Sequence, residues 1–260
     1  MEIFKEYANL YDLIYSEKDY KKEVFYIDKL IQTATPGANS ILEFGCGTGK
    51  HSRYLSELGY KMIGVDISPE MIQRATMESL TSTSKRIKNN KYVLGNIKEV
   101  KFKKKFDCVL SLFHVISYIE STSDLEKTFG NAHEHLNDRG LFVFDCWFGP
   151  AVLSDPPKDR INKYENNENI VYRIVTPEID FINNVVSVNI EIIHFDRKTN
   201  RINEFNEIHK MRYLFDPEIE SLFKKFGFKL VRREEMLTGN IPNRHTWSVC
   251  YVAKKNECQK

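Results

Sequence analysis

Three glycines at alternate positions follow a short apolar run in the segment Ile41-Leu-Glu-Phe-Gly-Cys-Gly-Thr-Gly-Lys50. An apolar run that breaks into a glycine-rich turn is typical of a buried parallel strand followed by a helix. Because Gly45, Gly47 and Gly49 lack a Cβ atom, the backbone there can approach a ligand closely. The next apolar segment ends in Asp66, roughly 20 residues past the first glycine, where nucleotide-binding folds place the acid that holds ribose hydroxyls. The pattern therefore predicts a site for an adenosine-containing ligand.

The spacing of the glycines distinguishes this turn from two common phosphate-binding loops. A dinucleotide-binding loop has the pattern G-x-G-x-x-G, and a mononucleotide-binding loop has G-x-x-x-x-G-K-[ST]. Here the pattern is G-x-G-x-G after Glu43, and Lys50 is followed by His51 instead of Ser or Thr. The spacing disfavours an NAD-type oxidoreductase, whereas a glycine turn that only joins a strand to a helix remains an alternative.

The composition of the chain limits the classes of protein to which it can belong. Its 260 residues, 42% of them hydrophobic, suffice for one sizeable core or a core with a small subdomain. A net charge of +2 argues against a dedicated nucleic-acid-binding surface. Five cysteines without a C-x-x-C pair, and no apolar signal segment at the N-terminus, predict a cytoplasmic protein. No apolar run approaches the roughly 20 residues that span a bilayer, so we expect no membrane partner.

The residues that could do chemistry lie in a chain that alternates between helix and strand patterns. Ser68-Pro69 is a strong helix start, since Ser favours the N-cap and Pro the first helical position. A turn at Asp138-Arg-Gly140 precedes the fifth strand. Alternation of this kind predicts a parallel sheet with right-handed crossovers. The predicted helices cover about residues 20–33, 52–58, 69 onward and 123–136, and the predicted strands cover 41–44, 61–65, 92–94, 106–112 and 141–144.

The pattern changes near Gly149-Pro150. Between Ile170 and Leu214 apolar residues recur as in antiparallel strands, namely Val186, Val188, Ile190 and Ile192, then Phe205, Ile208 and Met211. A helix capped by Asp216 and two closing strands follow, the last one antiparallel. We therefore predict an α/β fold with a Rossmann-like, mostly parallel core from residues 1–149 and 215–260. Residues 150–214 form an inserted antiparallel subdomain that binds substrate or pairs two chains into a homodimer.

The acid-x-G-x-G-x-G pattern resembles motif I of the class I S-adenosylmethionine-dependent methyltransferases. The segments Val65-Asp-Ile-Ser68, Gly95-Asn-Ile97 and Phe106 to Leu112 extend this resemblance over most of the chain. The family usually has Asp where this chain has Asn96, whose side-chain oxygen can also accept a hydrogen bond. The resemblance implies S-adenosylmethionine as cofactor, S-adenosylhomocysteine as product, and cofactor contacts at Tyr11, Tyr15, Glu43, Gly45, Cys46, Gly47, Gly49, Asp66, Ile67, Met71, Asn96, Ile97 and Leu112.

A closer resemblance, to N-methyltransferases of nucleotide-linked aminosugars, covers both ends of the chain. Its N-terminal part is the segment from Tyr7 to Tyr15, and its later part is Asp145-Cys-Trp147-Phe148, where the group has Glu in place of Asp145. It implies that Trp147 contacts the acceptor and that Arg244 holds a phosphate or carboxylate. The group's histidine near the reacting amine corresponds to Tyr118 here.

The expected chemistry is a methyl transfer, which depends chiefly on alignment of the two reactants. His114 follows the fourth strand at the carboxyl edge of the sheet, where ligands bind in open α/β sheets. A histidine there could take a proton from an amine or a hydroxyl, so His114, Tyr118 and Asp145 are the candidate catalytic residues. His133 and His135 lie on different faces of a predicted helix, so we expect no metal site.

The acceptor is left open by these residues. An amine on a nucleotide-linked sugar is the first hypothesis, and O-methylation of a sugar or N-methylation of another small amine are alternatives. From other classes, an NAD-type oxidoreductase and a cofactor-binding protein without catalysis remain. The segment after the fourth strand reads Ser-Leu-Phe-His-Val-Ile-Ser and lacks an N-P-P-Y-like run, which argues against methylation of a nucleic-acid base.

Overall fold

The computed structural model describes residues 7–257 and consists of a central sheet, its covering helices and a second, antiparallel sheet. The strands are β1 (Ser40–Phe44), β2 (Lys61–Asp66), β3 (Lys91–Leu94), β4 (Phe106–Ser111), β5 (Leu136–Phe148), β6 (Arg160–Glu165), β7 (Asn169–Asp180), β8 (Val185–Asp196), β9 (Arg201–Leu214), β10 (Phe228–Glu235) and β11 (Ser248–Lys255). The helices are α1 (Tyr7–Ile14), α2 (Tyr20–Ala34), α3 (Lys50–Glu57), α4 (Pro69–Thr81), α5 (Lys85–Lys88), α6 (Thr122–His135), α7 (Gly149–Ser154) and α8 (Asp216–Lys225), and a 3₁₀ turn covers Val115–Tyr118.

The central sheet confirms the predicted Rossmann-like α/β fold. Its parallel part has the order β3-β2-β1-β4-β5. Strand β11 then pairs antiparallel with β5, and β10 pairs antiparallel with β11. Ile41 and Leu42 belong to different apolar clusters, as alternation of side chains along a strand requires, so both faces of the sheet are covered. None of the helices in residues 7–257 is long and apolar enough to cross a membrane.

Helices α4 and α8 begin with different N-cap residues. Helix α4 begins as predicted, with the Ser68 hydroxyl accepting from Met71 N at 3.2 Å and Pro69 in the first turn. The prediction that Asp216 caps α8 was wrong, because Phe215 is the N-cap and Asp216 is the first helical residue. The Asp216 carboxylate instead accepts from the Tyr251 hydroxyl at 2.6 Å, which ties α8 to β11.

Strand β5 is longer than predicted. The turn expected at residues 138–140 lies within the strand, although Arg139 has a left-handed φ of 62° and the register with β4 shifts between Phe106 and Cys108. The predicted turn is therefore present as an irregularity inside the strand, where residues 137–140 of β5 lie opposite only Asp107 of β4. Because β11 pairs with β5 from Leu141 to Trp147, the strand extends to the rim where the fifth parallel strand ends.

The predicted insert, residues 150–214, holds most of α7 and the antiparallel sheet β6-β7-β8-β9. Strand β9 returns to the core, where Trp147 and Phe148 pair in parallel with Tyr213 and Leu214. Buried residues of α1 pack in the same apolar cluster as buried residues of β7, β8 and β9. The N-terminal helix and the insert thus meet over one end of the central sheet.

Strand β9 corrects one detail of the predicted alternation. Ile208 was expected among the inward apolar residues, but its side chain is 46% exposed. His209, at 5% exposure, takes the inward position instead. Since strand residues two apart share a face, His209 lies on the same side as the buried Met211. The inward face of the insert therefore carries a histidine that the apolar pattern concealed.

Candidate active site

A cavity of about 1070 Å³ lies where the carboxyl ends of the parallel strands meet α1 and the insert. The predicted site residues that line it are Tyr11, Tyr15, Gly45, Cys46, Gly47, Asp66, Ile67, Met71, Asn96, Ile97, Leu112, His114, Tyr118 and Trp147. Glu43, Gly49, Asp145 and Arg244 do not line it. A volume of this size is at the upper end for a small-molecule site and is enough for two ligands side by side.

Asp66 joins the glycine turn to the start of α4. Its Oδ2 accepts from Gly47 N at 2.8 Å, and its Oδ1 accepts from Ser68 N at 2.9 Å. Burial raises the pKa of Asp66, although the backbone donors at Ser68, Gly47 and Ile67 oppose this shift. The carboxylate is therefore held by two loops at the cavity wall, at the place predicted for a ribose contact.

Two glycines of the turn are required for different reasons. Gly45 has φ +70°, and a Cβ there would lie 2.4 Å from a methyl carbon of Val115, so its backbone packs directly on the 3₁₀ turn. Gly47 has φ +53°, but a Cβ there would meet no atom within 4 Å. The first glycine allows close packing within the protein, and the second leaves space beside the cavity.

Glu43 and Gly49 support the turn from behind. The buried Glu43 carboxylate accepts a hydrogen bond from the Ser52 hydroxyl at the start of α3 and lies 3.8 Å from Nδ1 of His51. Burial raises the pKa of Glu43, although the charge of His51 and the Ser52 hydroxyl oppose this shift. A Cβ on Gly49 would lie 2.7 Å from the Tyr92 hydroxyl oxygen. Glu43 and Gly49 therefore support the shape of the glycine turn although neither lines the cavity.

His114 and Asp145 form a pair at the ends of β4 and β5. Nδ1 of His114 lies 2.7 Å from Oδ2 of Asp145, and the His114 backbone N–H donates to Oδ1 at 3.1 Å. Nδ1 of His114 thus faces the carboxylate at close range, and the two side chains form an ion pair only when the ring is protonated. Burial alone would raise the pKa of Asp145, but the charge and donors of His114 and the Ser248 hydroxyl lower it overall. Asp145 is thus an ionised, buried anchor for His114.

His114 can contact a ligand through its other ring nitrogen. Among residues 7–257, no hydrogen bond occupies Nε2 of His114. The ring lies 6.4 Å from that of Trp147, centroid to centroid, and the Trp147 backbone N–H donates to the Ser117 hydroxyl at 2.9 Å. His114 and Trp147 therefore form adjacent parts of one wall of the cavity.

Aromatic rings of α1 form a further wall. The rings of Tyr11 and Tyr15 lie 4.6 Å apart, and Tyr15 makes an edge contact with Phe113 at 5.1 Å. Burial raises the pKa of Tyr11 well above its usual range. Aromatic faces suit a cationic ligand, because the ring quadrupole attracts positive charge.

Two residues of β9 at the site were missed by sequence reasoning. Nδ1 of His209 lies 2.7 Å from the Tyr118 hydroxyl oxygen, and Nε2 lies 2.9 Å from Oε2 of Glu207. His209 lines the cavity together with Tyr118. The available signal was strand parity, since residues 207, 209 and 211 fall on one face of β9.

The structure also changes the set of cationic residues at the cavity. Arg244 is exposed and donates from Nε to Nε2 of His245 at 3.1 Å. Lys158, Arg160 and Arg173, all from the insert, line the cavity instead. Nε of Arg173 donates to the Tyr7 hydroxyl at 3.1 Å, and within residues 7–257 neither Arg160 nor Arg173 has a carboxylate in ion-pair contact.

The histidines of α6 have other partners. His135 accepts from Phe102 N at 2.9 Å, and the His133 ring packs edge-on against Phe228 at 5.5 Å. Residues 7–257 contain no group of His, Cys, Asp and Glu arranged to hold a metal ion.

A family model described as a methyltransferase domain matches residues 19–233 of the chain. The chain is a class I S-adenosylmethionine-dependent methyltransferase. Its cofactor is S-adenosylmethionine, as the sequence predicted.

Curated relatives of the methyltransferase include an enzyme of aminosugar metabolism. The dTDP-3-amino-3,4,6-trideoxy-alpha-D-glucopyranose N,N-dimethyltransferase of Streptomyces venezuelae is 30% identical over 152 residues, or 58% of this chain and 61% of that protein. The methyltransferase thus spans about three fifths of the length of this relative. The putative methyltransferase YqeM of Bacillus subtilis (strain 168) is 23% identical over 256 residues, which cover 98% of each chain.

Solved structures share the fold over almost the whole methyltransferase. An S-adenosylmethionine-dependent methyltransferase from Clostridium acetobutylicum ATCC 824 superposes with a TM-score of 0.80 at 23% identity, covering 96% of this chain and 98% of that one. Streptomyces venezuelae DesVI gives a TM-score of 0.79 at 22% identity, with 96% of this chain and 98% of that one covered.

The residues at the glycine turn fit S-adenosylmethionine. The Asp66 carboxylate at the cavity wall would hold the ribose, and the open space beside Gly47 would admit the amino-acid part of the cofactor. Tyr11 and Tyr15 line the same cavity and suit a sulfonium cation. Bound there, the cofactor supplies an electrophilic methyl group, and the protein has to align an acceptor behind it.

Proposed function

We propose that the methyltransferase transfers a methyl group to the amine of a nucleotide-linked aminosugar. The observation that carries this proposal is the half-buried Arg173 in the cavity wall, which has no carboxylate in ion-pair contact among residues 7–257. A guanidinium removed from water is costly unless an anion compensates it. A diphosphate on the acceptor supplies that charge, and guanidinium groups bind phosphate through two parallel hydrogen bonds.

Arg160 and Lys158 extend this positive region at the entrance of the cavity. Both are exposed, and Lys158 forms an ion pair with Asp155 at 2.9 Å. Exposed cations attract an anionic ligand mainly by raising its local concentration. The insert thus favours an acceptor with phosphate groups at one end and its reacting group at the other.

The reacting amine meets the wall formed by His114 and Trp147. Asp145 holds the His114 ring, which leaves Nε2 able to accept a hydrogen bond from the amine. The acceptor nitrogen must present its lone pair in line with the methyl group, and a fixed hydrogen-bond partner restricts its orientation. Two further relatives are N,N-dimethyltransferases of dTDP-linked aminosugars, which supports an amine as the acceptor.

The test is a set of acceptors that differ in one group each. The purified methyltransferase is incubated with S-adenosylmethionine and a dTDP-linked aminosugar, its hydroxyl analogue, or the aminosugar without the nucleotide. We expect S-adenosylhomocysteine release and a methylated product with the first acceptor, little turnover without the nucleotide, and none with the hydroxyl analogue. Preference for the hydroxyl analogue would replace N-methylation by O-methylation, and equal turnover with the free aminosugar would remove the phosphate contact.

A protein that binds the cofactor without catalysis gives a different result. It would bind S-adenosylhomocysteine in a calorimetric titration and release none from S-adenosylmethionine with any of these acceptors. The titration and the turnover assay together separate a wrong acceptor from an inactive protein.

A further inference from the structure

Three side chains form a continuous polar chain that begins in the cavity wall and ends on the insert. Tyr118 contacts Nδ1 of His209 at 2.7 Å, and Nε2 of His209 contacts Glu207 at 2.9 Å. The side chains of His209 and Glu207 are 6% and 8% exposed, so these two hydrogen-bonded groups are shielded from solvent behind Tyr118. Tyr118 and His209 are 91 residues apart in sequence and meet because β9 packs on the 3₁₀ turn.

The carboxylate of Glu207 determines which ring nitrogen of His209 carries the hydrogen. A carboxylate only accepts hydrogen bonds, so Nε2 of His209 carries the hydrogen that points to Glu207. In the neutral ring Nδ1 then has the free lone pair, and the Tyr118 hydroxyl donates to it. A phenol oxygen is an acceptor as well as a donor, and Tyr118 lines the cavity, so a ligand there can donate to it.

Tyr118 is suited to pass a proton on to His209 and not to ionise. Burial raises the pKa of Tyr118 well above its usual range, and Tyr15 and Glu207 raise it further, whereas Arg173 opposes the shift. The phenol is therefore protonated at neutral pH. It can accept a proton on its oxygen only while it passes its own proton to His209.

We propose that Tyr118, His209 and Glu207 form a proton relay that removes a proton from the acceptor amine. The proposal rests on the proposed function, in which the acceptor is an amine. One N–H bond of the substrate ammonium breaks and leaves its electron pair on nitrogen. The proton bonds to the Tyr118 oxygen while the original hydroxyl proton moves to Nδ1 of His209. The imidazolium so formed is paired with Glu207, and it returns its proton to solvent after the product leaves.

The chemistry of N-methylation gives a reason for a second proton-accepting group in addition to His114. An ammonium loses one proton before its nitrogen can attack the methyl group, and the methylated ammonium carries another that must leave before the nitrogen is neutral again. His114 is supported by Asp145 from β5, and the relay is supported by β9. Tyr118 touches the substrate in this scheme, while Glu207 is a positioning residue that acts through His209.

Kinetic coupling between Tyr118 and His209 tests the relay. We expect Tyr118→Phe and His209→Asn each to lower kcat by about 100-fold with little change in the acceptor KM, since proton transfer contributes at least this much. The double variant should lose no more than the worse single variant, because both substitutions interrupt one path. Losses that multiply, or that fall on KM, overturn the relay. His194→Asn is the control, since His194 lies on β8 outside the cavity and contacts Asn169 at 2.7 Å.

The protonation of the two His209 nitrogens can be measured without any methyl acceptor, and it tests the direction of proton transfer in the relay. Nitrogen NMR of histidine-labelled protein, assigned with His209→Asn, should show Nε2 of His209 protonated and Nδ1 unprotonated at neutral pH. A proton on Nδ1, alone or with one on Nε2, overturns the relay because His209 could then accept none from Tyr118. If no aminosugar nucleotide is methylated, the proposed function fails while the tautomer still tests the relay.

Discussion

The two halves of the active site are held together over different distances along the chain. In the cofactor half, Asp66 is bound by Gly47 and Ser68, 19 and 2 residues away. In the acceptor half, the Arg173 contact to Tyr7 spans 166 residues, and the Tyr118 contact to His209 spans 91. The ribose end of the cofactor half therefore depends on a local strand–turn–strand unit, whereas the acceptor half exists only when α1, the insert and the sheet are packed together. Substitutions in the two halves should consequently affect different measured quantities.

The largest effect is expected in the acceptor half, at His114. His114→Ala removes the ring held by Asp145, so kcat should fall by about 100-fold while the affinity for S-adenosylhomocysteine changes little. Initial rates at saturating S-adenosylmethionine measure kcat, and calorimetric titration measures the affinity.

His245→Ala provides the control for this substitution, because His245 is exposed and does not line the cavity. If kcat of His114→Ala matches the wild type, His114 has only a structural role at the end of β4.

The corresponding substitution in the cofactor half is Asp66→Ala. We expect the dissociation constant for S-adenosylhomocysteine to rise by about 10- to 100-fold, because a hydrogen bond to a charged group is worth roughly 1.5–3 kcal/mol. Calorimetry on the folded variant measures this change. Asp138→Ala, at an exposed acid in β5, is the control. Unchanged affinity would exclude Asp66 from the cofactor site and remove the contrast between the two halves.

The same contrast separates the features that the sequence predicts from those that appear only in the folded chain. The glycine turn, Asp66 and the alternation of helices with parallel strands were predictable because each depends on residues close together in the chain. His209 was missed because its neighbours suggested an apolar stripe, and its partner Tyr118 lies on a distant element. The cationic residues were predicted at Arg244 by resemblance, but the fold of β6 and β7 brings Arg160 and Arg173 to the cavity instead. Side chains that meet only through tertiary packing leave no local pattern.

The cationic residues give a direct comparison between sequence and structure. Arg173→Gln should raise the KM for a nucleotide-linked acceptor by about tenfold, which corresponds to about 1.4 kcal/mol for the contact of this half-buried guanidinium with phosphate. Arg244→Gln should leave KM close to that of the wild type, because Arg244 is exposed and lies outside the cavity lining. Initial rates over a range of acceptor concentrations measure both. The reverse result would show that the acceptor's phosphate lies toward the loop before β11.

The smallest predicted effect is on stability, at Glu43. Burial raises the pKa of Glu43 in the folded protein above its value in the unfolded chain. At neutral pH the unfolded chain holds the ionised carboxylate in water, so keeping it ionised in the folded protein lowers the free energy of unfolding. Glu43→Gln keeps an oxygen for the Ser52 hydroxyl and removes the charge, and a gain of about 1 kcal/mol would raise Tm by about 2–4 °C. As pH falls toward the ordinary glutamate value of about 4.3, the folded state takes up the proton first and the advantage of the variant disappears.

Melting curves at several pH values measure this change in Tm. The affinity for S-adenosylhomocysteine should stay unchanged, because Glu43 does not line the cavity. A lower Tm at pH 7 would mean that the charge pairs with His51 strongly enough to outweigh its burial, and the acid of the motif would then stabilise the turn electrostatically.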